Sequence, residues 1–282
     1  MRPARSRTLH FRTFCTRGPA LGIVILACLG GAKGQNSADV SRSSRVTSGL
    51  QILYDFASPS GAIIQDRSEV GEPINLSISD AKAVQRSAGK LVVIGKTPIR
   101  SIKPAKKLIN AVRRSGALTI EAWVQPGNTK QAGPARIVTL SKNSSERNFT
   151  LGQVGDKYEV RLRTTRTSAN GIPAVASIGR TAGTKLTHIV YAYAKDGQAR
   201  LFVNSKSVAT SKVGGLPSNW NGSFELALAN ELSSDRPWQG TLHLVPLYNR
   251  TLTPKEIARN FAAGPEGTSV VEFNVKNDPG QT

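Results

Sequence analysis

Short β-type runs separated by turn residues are the feature that most constrains the fold of this chain. From Gly49 onward, runs that are mostly four to eight residues long and rich in Val, Ile, Thr and Tyr are bounded by Gly, Asn, Asp or Pro. This spacing is typical of an all-β antiparallel sandwich and not of alternating βαβ units. Strands are predicted at 50–56, 73–78, 90–94, 118–125, 136–142, 148–154, 157–164, 186–194, 199–205, 207–213, 223–229 and 241–249.

Two short helices and one hairpin complete the predicted framework. The stretch 104–114 places its apolar residues on one helical stripe, and Thr253-Pro254-Lys255-Glu256 is a capping box that opens a helix over 254–263. Asp196-Gly197 lies between two strand patterns and predicts a tight hairpin. We expect both helices to cover an end of the sandwich.

The first 34 residues have the layout of a secretory signal peptide. Five arginines and no acid precede the apolar run Ala20–Leu29, and small residues follow before Gln35. About ten apolar residues are too few to cross a bilayer of roughly 30 Å as a helix. The piece Ile25-Leu26-Ala27-Cys28 is similar to a bacterial lipobox, with Cys28 as the lipidated residue. The leader therefore predicts export that ends in free secretion or in a lipid anchor at the cell envelope, and the alternative is a short membrane anchor that is not cleaved. The polar residues 35–48 predict a flexible tether.

Composition narrows the chemistry and the partners. Both cysteines lie in the leader, so the mature part is expected to lack disulfides, thiol nucleophiles and cysteine metal sites. The formal charge is +20, and the leader carries six cations without an acid, which leaves 20 − 6 = +14 on the remainder. Such a charge favours anionic partners. Nucleic acid is not expected, because export separates the protein from most of it and aromatic interleaving is absent.

Four segments in order resemble a LamG-like jellyroll domain: ALTIEAWVQP, RNFTLGQVGDKYEVRLRTT, THIVYAYAKDGQARLFVNSKSV and GTLHLVPLYNRTLTPKEIARNFAAG. The resemblance is to the bacterial laminin-G type of the concanavalin A-like lectin/glucanase superfamily and covers about Leu50 to Gly264. It implies a jelly roll of two antiparallel sheets packed face to face, one with a concave outer side. Members often bind glycans or proteins, frequently with calcium, and some hydrolyse β-glucans. We therefore predict a domain at 49–264 and a C-terminal tail at 265–282.

Catalytic residues are not predicted. The laminarinase branch of the superfamily uses carboxylates spaced Glu-x-Asp-x-Glu, which alternation places about 5–5.5 Å apart on one face, as a retaining mechanism needs. No such spacing occurs, and Glu121 stands alone with Trp123 two residues on. His188 and His243 lie inside strand patterns, where a structural role is expected. Motifs for nucleophilic triads or phosphate-binding loops are also absent from the sequence.

Calcium is the one cofactor that the pattern allows. Asp55 and Asp66 stand near predicted turns at the start of the domain and are the candidate metal ligands. The alternative is that these carboxylates only cap backbone turns. The family's closing strand often has Asp-Glu where this chain has His243-Leu244, and the missing acid removes one potential oxygen ligand.

The candidate ligand-binding residues are Glu121, Trp123, Arg161 and Arg163. The two arginines stand about 7 Å apart on a strand that rises about 3.3 Å per residue. If their strand and the 118–125 strand share the concave sheet, all four side chains form one patch. An indole can stack on a sugar ring, and guanidiniums can hold carboxylate or sulfate. The alternative is that Trp123 packs under a loop or against the 104–114 helix while the arginines are solvated.

Two further features keep alternatives open. Seven cations and no acid lie between Lys96 and Arg114, either as a docking surface for a polyanion or as a solvated helix face. Trp220 and Trp238 either bind at a loop rim or plug the end of the sandwich. The predicted function is a secreted, non-enzymatic module that binds anionic or neutral polysaccharide or an extracellular protein, with membrane contact only through a lipid anchor. A structural or adhesion module and a β-glucan hydrolase are the alternatives.

Overall fold

A computed structural model describes residues 44–266 of the chain, so the predictions for Cys28, the signal peptide and residues 267–282 lie outside the described residues. Within 44–266 there are sixteen strands and two α-helices. The strands are β1 (Leu50–Tyr54), β2 (Ile63–Ile64), β3 (Leu76–Ile78), β4 (Val84–Ser87), β5 (Lys90–Val93), β6 (Ile99–Ser101), β7 (Leu118–Pro126), β8 (Ala135–Ser141), β9 (Arg147–Val154), β10 (Lys157–Leu162), β11 (Val175–Ala176), β12 (Thr187–Tyr193), β13 (Gln198–Val203), β14 (Lys206–Lys212), β15 (Glu225–Leu228) and β16 (Gly240–Tyr248). The helices are α1 (Lys106–Ser115) and α2 (Pro254–Ala263), and short 3-10 turns cover Ala81–Ala83 and Pro217–Asn219.

The strands form two antiparallel sheets of eight strands each, which confirms the predicted β-sandwich of the jelly-roll class. Sheet one has the order β14-β13-β12-β7-β16-β5-β4, and β1 pairs with β16 beside this path. Sheet two has the order β11-β10-β9-β8-β15-β6-β3-β2. Each predicted strand overlaps an observed one. The prediction missed β2, β4, β6 and β11, which are only two to four residues long and too short to show an alternating pattern.

The main core lies between the two sheets and follows from side-chain alternation. Leu118, Ile120, Ala122 and Val124 of β7 are fully buried on its inner side, as the period of two predicts. Trp220 and Trp238 are buried in the same core. Their indole N–H groups donate to the carbonyl of Arg163 at 2.8 Å and to Oε1 of Gln153 at 2.9 Å. Both indoles therefore belong to the packed interior and not to an exposed rim.

Both predicted helices are present, with their predicted apolar stripes. Leu108, Ile109 and Val112 of α1 are fully buried, and the helix ends at Gly116, whose φ of 70° is the left-handed conformation that glycine adopts without strain. At α2, Thr253 accepts a hydrogen bond from the backbone of Glu256, and the Glu256 side chain accepts one from the backbone of Thr253. This is the capping box that the sequence predicts.

The predicted hairpin between β12 and β13 needs its glycine. Gly197 has φ of 85°, and a Cβ at this position would lie 2.6 Å from the Cα of Gly214. The hairpin between β13 and β14 has no glycine, and Asn204 and Ser205 adopt φ of 48° and 64°. These angles are those of a type I′ turn, and a serine in this conformation is strained relative to glycine.

Residues 44–48 form an N-terminal strap that packs against the domain. Arg45 and Val46 are 5% and 6% exposed. The carbonyl of Val46 accepts a hydrogen bond from the Tyr248 hydroxyl at 3.2 Å, and its N–H donates to Oδ1 of Asn260 at 2.8 Å. The prediction of a flexible tether through residue 48 is wrong at this end, because these residues fill a position beside α2.

Candidate functional site

The four predicted ligand-binding residues do not form one patch. Glu121 and Trp123 lie on β7 of sheet one, whereas Arg161 lies on β10 of sheet two and Arg163 follows that strand. The prediction that their strands share one sheet is therefore wrong. Alternation within each strand assigned the faces correctly, but alternation carries no information about which sheet a strand joins.

Glu121 is the centre of a fully buried polar cluster on the outer side of sheet one. Its carboxylate accepts hydrogen bonds from Arg45 of the strap and from Nδ2 of Asn260 on α2, the latter at 2.7 Å. Nε2 of His188 lies 3.0 Å away, and the Tyr248 hydroxyl lies 3.4 Å away. Burial by itself raises the pKa of Glu121, but Arg45, His188 and Asn260 more than offset burial and lower the pKa to about 2. This carboxylate is a compensated charge in the packed interior.

Trp123 packs beneath α2 and has no open face for a sugar ring. Its ring stacks on His188 with centroids 4.7 Å apart and on Phe261 of α2 with centroids 5.6 Å apart. Only 5% of the residue is exposed. The alternative prediction of a structural Trp123 named a loop or the 104–114 helix as its cover, and the structure shows that the C-terminal helix α2 covers it. With α2 and the strap in place, this part of sheet one is closed.

The outer side of sheet two carries the second polar cluster. We call it the polar face: the side chains that β8, β9 and β10 turn away from the core. Register brings Thr139, Thr150 and Arg161 into one row across the three strands. Neighbouring strands lie about 4.8 Å apart, so this row spans about 10 Å. The polar face consists of Arg136, Thr139, Ser141, Thr150, Glu159 and Arg161, together with the guanidinium of Arg147.

Arg136 forms a buried ion pair on the polar face. Its Nε donates to Oε2 of Glu231 at 2.8 Å, and both side chains are almost completely buried. The other oxygen of Glu231 accepts hydrogen bonds from the Ser141 hydroxyl and from the backbone of Leu232. Burial lowers the pKa of Arg136, and Glu231 opposes this effect. Glu231 thus has both oxygens engaged.

Arg147 lies beside this pair and has no carboxylate partner within residues 44–266. Nη1 donates to the Thr150 hydroxyl at 3.1 Å, Nη2 donates to the backbone carbonyl of Ser144, and Nε is buried without a partner. The residue is fully buried. Burial and the neighbouring charge of Arg136 lower its pKa to about 10, although Glu231 acts in the opposite direction. Arg147 is therefore a buried positive charge without a neutralising contact.

The two predicted arginines differ in their environment. Arg161 is partly buried, with Nε 2.7 Å from Oε1 of Glu159 and Nη1 3.3 Å from Oδ1 of Asn170. It therefore belongs to the polar face but has an acid partner. Arg163 is also partly buried, and its Nε has no hydrogen-bond partner. Its backbone carries the defined contacts, to Asn148 and to the indole of Trp220.

A cleft opens on sheet two next to the Arg136–Glu231 pair. Its volume is about 400 Å³. Arg100 and Glu225 pair within it, with Nε and Oε2 2.9 Å apart, while Lys142 is largely exposed. The lining thus combines hydroxyl groups, charges of both signs and two apolar side chains. It consists of Arg100, Ser141, Lys142, Ser223, Phe224, Glu225, Leu232 and Ser233.

The basic run from Lys96 to Arg114 is partly neutralised by acids from elsewhere in the chain. Lys103 pairs with Glu72 at 3.0 Å and Lys107 with Asp66 at 2.7 Å. A larger hollow of about 590 Å³ lies beside these lysines at the start of α1. Because two of its three lysines already have acid partners, the hollow has less unpaired charge than the sequence run indicates. Docking of a polyanion on this run stays a prediction.

The two candidate calcium ligands do not fit a metal site. Oδ1 of Asp66 accepts from the backbones of Leu53 and Ser68, and Oδ2 accepts from the backbone of Ile74 and from Lys107. Asp55 caps the backbone of Ala57 and pairs with Arg67 at 3.1 Å. These oxygens already have donors, which is the turn-capping alternative. In the described part of the chain, no group of three or more His, Cys, Asp or Glu residues is placed to hold a metal ion.

Sequence reasoning missed Arg136, Arg147 and Glu231. The register shifts between Arg136 and Val138 and again between Leu140 and Ser141, so simple alternation fails along β8 and its partner. The adjacent apolar residues Ile137 and Val138, both in the core, were the available indication of a bulge. Glu231 lies in a loop, and no local pattern connects it with Arg136.

Comparison with known proteins decides the family. A family model described as the concanavalin A-like lectin/glucanases superfamily matches residues 104–258, more than half of the 282-residue chain. The chain belongs to this superfamily. No curated protein sequence gives a significant match. The superfamily fold agrees with the two stacked antiparallel sheets, and the described residues include no helix that is long and apolar enough to span a membrane.

Solved structures with a similar fold include binding domains and an enzyme. One is the binding domain of botulinum neurotoxin DC in complex with rat synaptotagmin II, with TM-score 0.58, 14% identity, and coverage of 77% of this chain and 52% of that chain. Another is a structure of botulinum neurotoxin type C, a toxin whose cell entry depends on interaction with two ganglioside molecules. It has TM-score 0.57 and 14% identity, and the match covers 77% of this chain and 51% of that chain. A Trypanosoma rangeli sialidase in complex with 2,3-difluoro-KDN has TM-score 0.58, 18% identity, and coverage of 77% and 33%. The chain thus spans about half of the neurotoxin domains and a third of the sialidase, and these likenesses show the fold alone.

Proposed function

We propose that this chain is an exported, non-catalytic binding module that holds a carbohydrate in the cleft on sheet two. The observation that carries the proposal is the lining of this cleft. The exposed Ser223 and Ser233 supply hydroxyl groups, Lys142 supplies a largely exposed cation, and the half-buried Leu232 supplies apolar surface. A saccharide has the complementary chemistry, because its hydroxyls donate and accept while its C–H faces need apolar contact. The volume of about 400 Å³ lies within the range of small-ligand sites.

The family and the fold support a binding role, and they do not identify the ligand. The superfamily contains lectins as well as glucanases, and the similar solved structures include a toxin domain in complex with synaptotagmin and a toxin whose cell entry depends on gangliosides. Fold similarity does not transfer a ligand. The closed side of sheet one supports the choice of sheet two, because Glu121 and Trp123 are inaccessible beneath α2.

The pairing of the acids supports a non-catalytic role. On the outer side of sheet two, Glu159, Glu225 and Glu231 contact Arg161, Arg100 and Arg136 respectively. A retaining glycosidase needs one carboxyl group that donates a proton and a second that attacks the sugar. Each of these three carboxylates is instead held in an ion pair by a guanidinium.

Export is the remaining part of the proposal and rests on the leader. Arginines before a short apolar run and small residues after it support passage through a membrane, to the outside of the cell or to its envelope. A mature charge of +14 favours an acidic surface among the extracellular partners.

A binding assay on the full chain tests the proposal. The chain is titrated with neutral, carboxylated and sulfated oligosaccharides, next to Lys142→Ala and the matched control Lys255→Ala, which removes an exposed lysine from α2. We expect Lys142→Ala to weaken binding about tenfold or more, because a hydrogen bond to a charged group is lost, and Lys255→Ala to leave binding unchanged.

Three results would contradict the proposal. Equal weakening by both lysine variants would show non-specific charge attraction in place of a site in the cleft. Binding confined to a protein partner, with no oligosaccharide bound, would favour the adhesion alternative. Release of reducing sugar from a β-glucan by the purified chain would show that the module is an enzyme.

A further inference from the structure

Two buried guanidiniums of the described domain are each neutralised by a carboxylate in contact, whereas the buried guanidinium of Arg147 has no such contact. Arg45 contacts Glu121, and Arg136 contacts Glu231. Arg147 is equally buried but contacts only a hydroxyl and a backbone carbonyl. An isolated buried charge is costly because water no longer solvates it. A protein that retains one without a partner has a position that an external anion can neutralise.

The free donors of Arg147 lie along one edge of its guanidinium. Nε has no partner, and Nη2 is held only by the carbonyl of Ser144. Nε and Nη2 are the two nitrogens whose N–H bonds point in parallel, so one anion with two oxygens can accept from both. Nη1, on the other edge, is fixed by Thr150 at 3.1 Å, which holds the plane of the guanidinium in position.

The loop that holds this edge ends next to the cleft. Ser144 is half-buried in the loop 142–146 that joins β8 and β9, and the flanking Lys142 is exposed. Ser141, which lines the cleft, is the register partner of Arg147. Lys142 also lines the cleft and has only a distant acid neighbour, Glu146, at 3.7 Å. One buried and one exposed cation therefore stand at the two ends of the same loop.

We propose that Arg147 and Lys142 bind one oxyanion of the ligand, a sulfate or a carboxylate, at the β8–β9 loop, so that the ligand of the cleft is an acidic saccharide. The inference rests on the proposed function and specifies its ligand class. The oxyanion takes the two donors on the free edge of Arg147 and displaces the Ser144 carbonyl from Nη2. Lys142 closes over the same group from the solvent side, and no covalent step is involved.

The test measures melting temperature for the full chain in sodium sulfate, in sodium acetate and in sodium chloride at matched ionic strength. A ligand that binds only the folded state raises the melting temperature, by about 3–5 °C for each tenfold rise in concentration above its dissociation constant in a domain of this size. We expect a rise that follows the logarithm of the sulfate or acetate concentration and is absent in chloride. Exclusion of sulfate from the protein surface also raises the melting temperature, but in proportion to concentration, and this dependence distinguishes it from binding. The salt that gives the logarithmic rise separates a sulfate-bearing from a carboxylate-bearing ligand.

Arg147→Met and Arg136→Met form a matched pair of variants. Arg147→Met is expected to abolish the anion-specific rise and to melt in chloride no lower than the wild-type chain, because it removes a charge that has no partner. Arg136→Met is expected to melt well below the wild-type chain, because it leaves Glu231 buried without its cation. Arg147→Lys keeps the charge but lacks the parallel donors, and its anion response is expected to need at least about tenfold more salt.

Two outcomes would overturn the oxyanion site: no anion-specific rise in the wild-type chain, or an Arg147→Met variant that melts as low as Arg136→Met while its anion response persists. Neutral oligosaccharide binding that Arg147→Met leaves unchanged would also contradict the acidic ligand and would leave the proposed carbohydrate function standing. The reverse result, an anion response abolished by Arg147→Met in a chain that binds no oligosaccharide, would support the oxyanion site and reject the carbohydrate function.

Discussion

The outer sides of the two sheets differ in whether a buried charge has an opposite charge in contact with it. On sheet one, Glu121 has a cation and an amide within hydrogen-bonding distance, and α2 with the strap seals it from water. On sheet two, Arg147 is as deeply buried and has no acid in contact, although Glu231 is close enough to affect its pKa. Equal burial therefore does not imply equal compensation of the charge. The two buried charges differ in whether residues 44–266 supply an opposite charge in contact with them.

The cluster around Glu121 on sheet one also joins segments that are far apart in sequence. Arg45 and Glu121 are 76 positions apart in sequence, and Asn260 is 139 positions from Glu121. Three separated segments thus meet at one carboxylate. The polar face of sheet two is built mainly from the neighbouring strands β8, β9 and β10.

The largest loss of stability is expected from removing the Glu121 carboxylate, which lies beneath α2 and the strap on sheet one. Glu121→Ala leaves Arg45 buried without an acid, and we expect a loss of about 3–5 kcal/mol in the free energy of unfolding. Urea denaturation measures it, with Glu146→Ala as a control because Glu146 contributes only an exposed pair. An unfolding free energy within 1 kcal/mol of the wild-type value would show that Glu121 is not the structural centre of that side.

Acid should weaken the closed side through the same carboxylate. The pKa of Glu121 is lowered from an ordinary value of 4.5 to about 2, so its contribution is complete above pH 4.5 and is lost as the pH falls through 2. The shift corresponds to about 3 kcal/mol at neutral pH. The measurement is the stability difference between the wild-type chain and Glu121→Gln at a series of pH values.

The variant difference is needed because Glu256 titrates in the same range. The hydrogen bond from Arg250 lowers the pKa of Glu256 to about 2 as well, and this carboxylate is present in both chains. A difference between wild type and Glu121→Gln that stays constant from pH 7 to pH 2 would refute the assigned pKa.

A smaller effect is expected from loosening the cover of sheet one. Thr253→Ala removes the side chain that caps α2, and we expect a loss of about 1 kcal/mol. Thr253→Ser keeps the hydroxyl and serves as the matched control. Thermal unfolding measures the stability of both variants. An equal loss in both would mean that the threonine methyl group, and not the hydroxyl cap, carries the effect.

The smallest change in stability is expected from a variant on sheet two. Lys142→Ala removes an exposed cation with one weak neighbour, and its unfolding free energy should stay within about 0.5 kcal/mol of the wild-type value. The same variant is expected to lose ligand affinity. Chemical denaturation next to the binding titration checks both statements, and a large stability loss would place Lys142 in the scaffold.

Much of the architecture was predictable because it depends on local patterns. The alternation on β7, the apolar stripe of α1 and the capping box of α2 each involve residues within a few positions of one another. The site was less predictable. Glu121 and Trp123 were correctly assigned to the face opposite the core, yet the cover that α2 places on them was not foreseen. Arg136 and Arg147 were missed because bulges interrupt the period of two in β8.

The sequence by itself determined that the chain alternates between two faces, ends its helices at defined caps, and turns where glycine and asparagine allow it. Tertiary structure alone decided which sheet each strand joined and which buried charge found a partner. The physical reason is that alternation depends on backbone geometry between neighbours, whereas neutralising a charge needs a specific group at about 3 Å. For Arg136 that group is 95 positions away in Glu231, and for Arg147 no carboxylate in residues 44–266 supplies it.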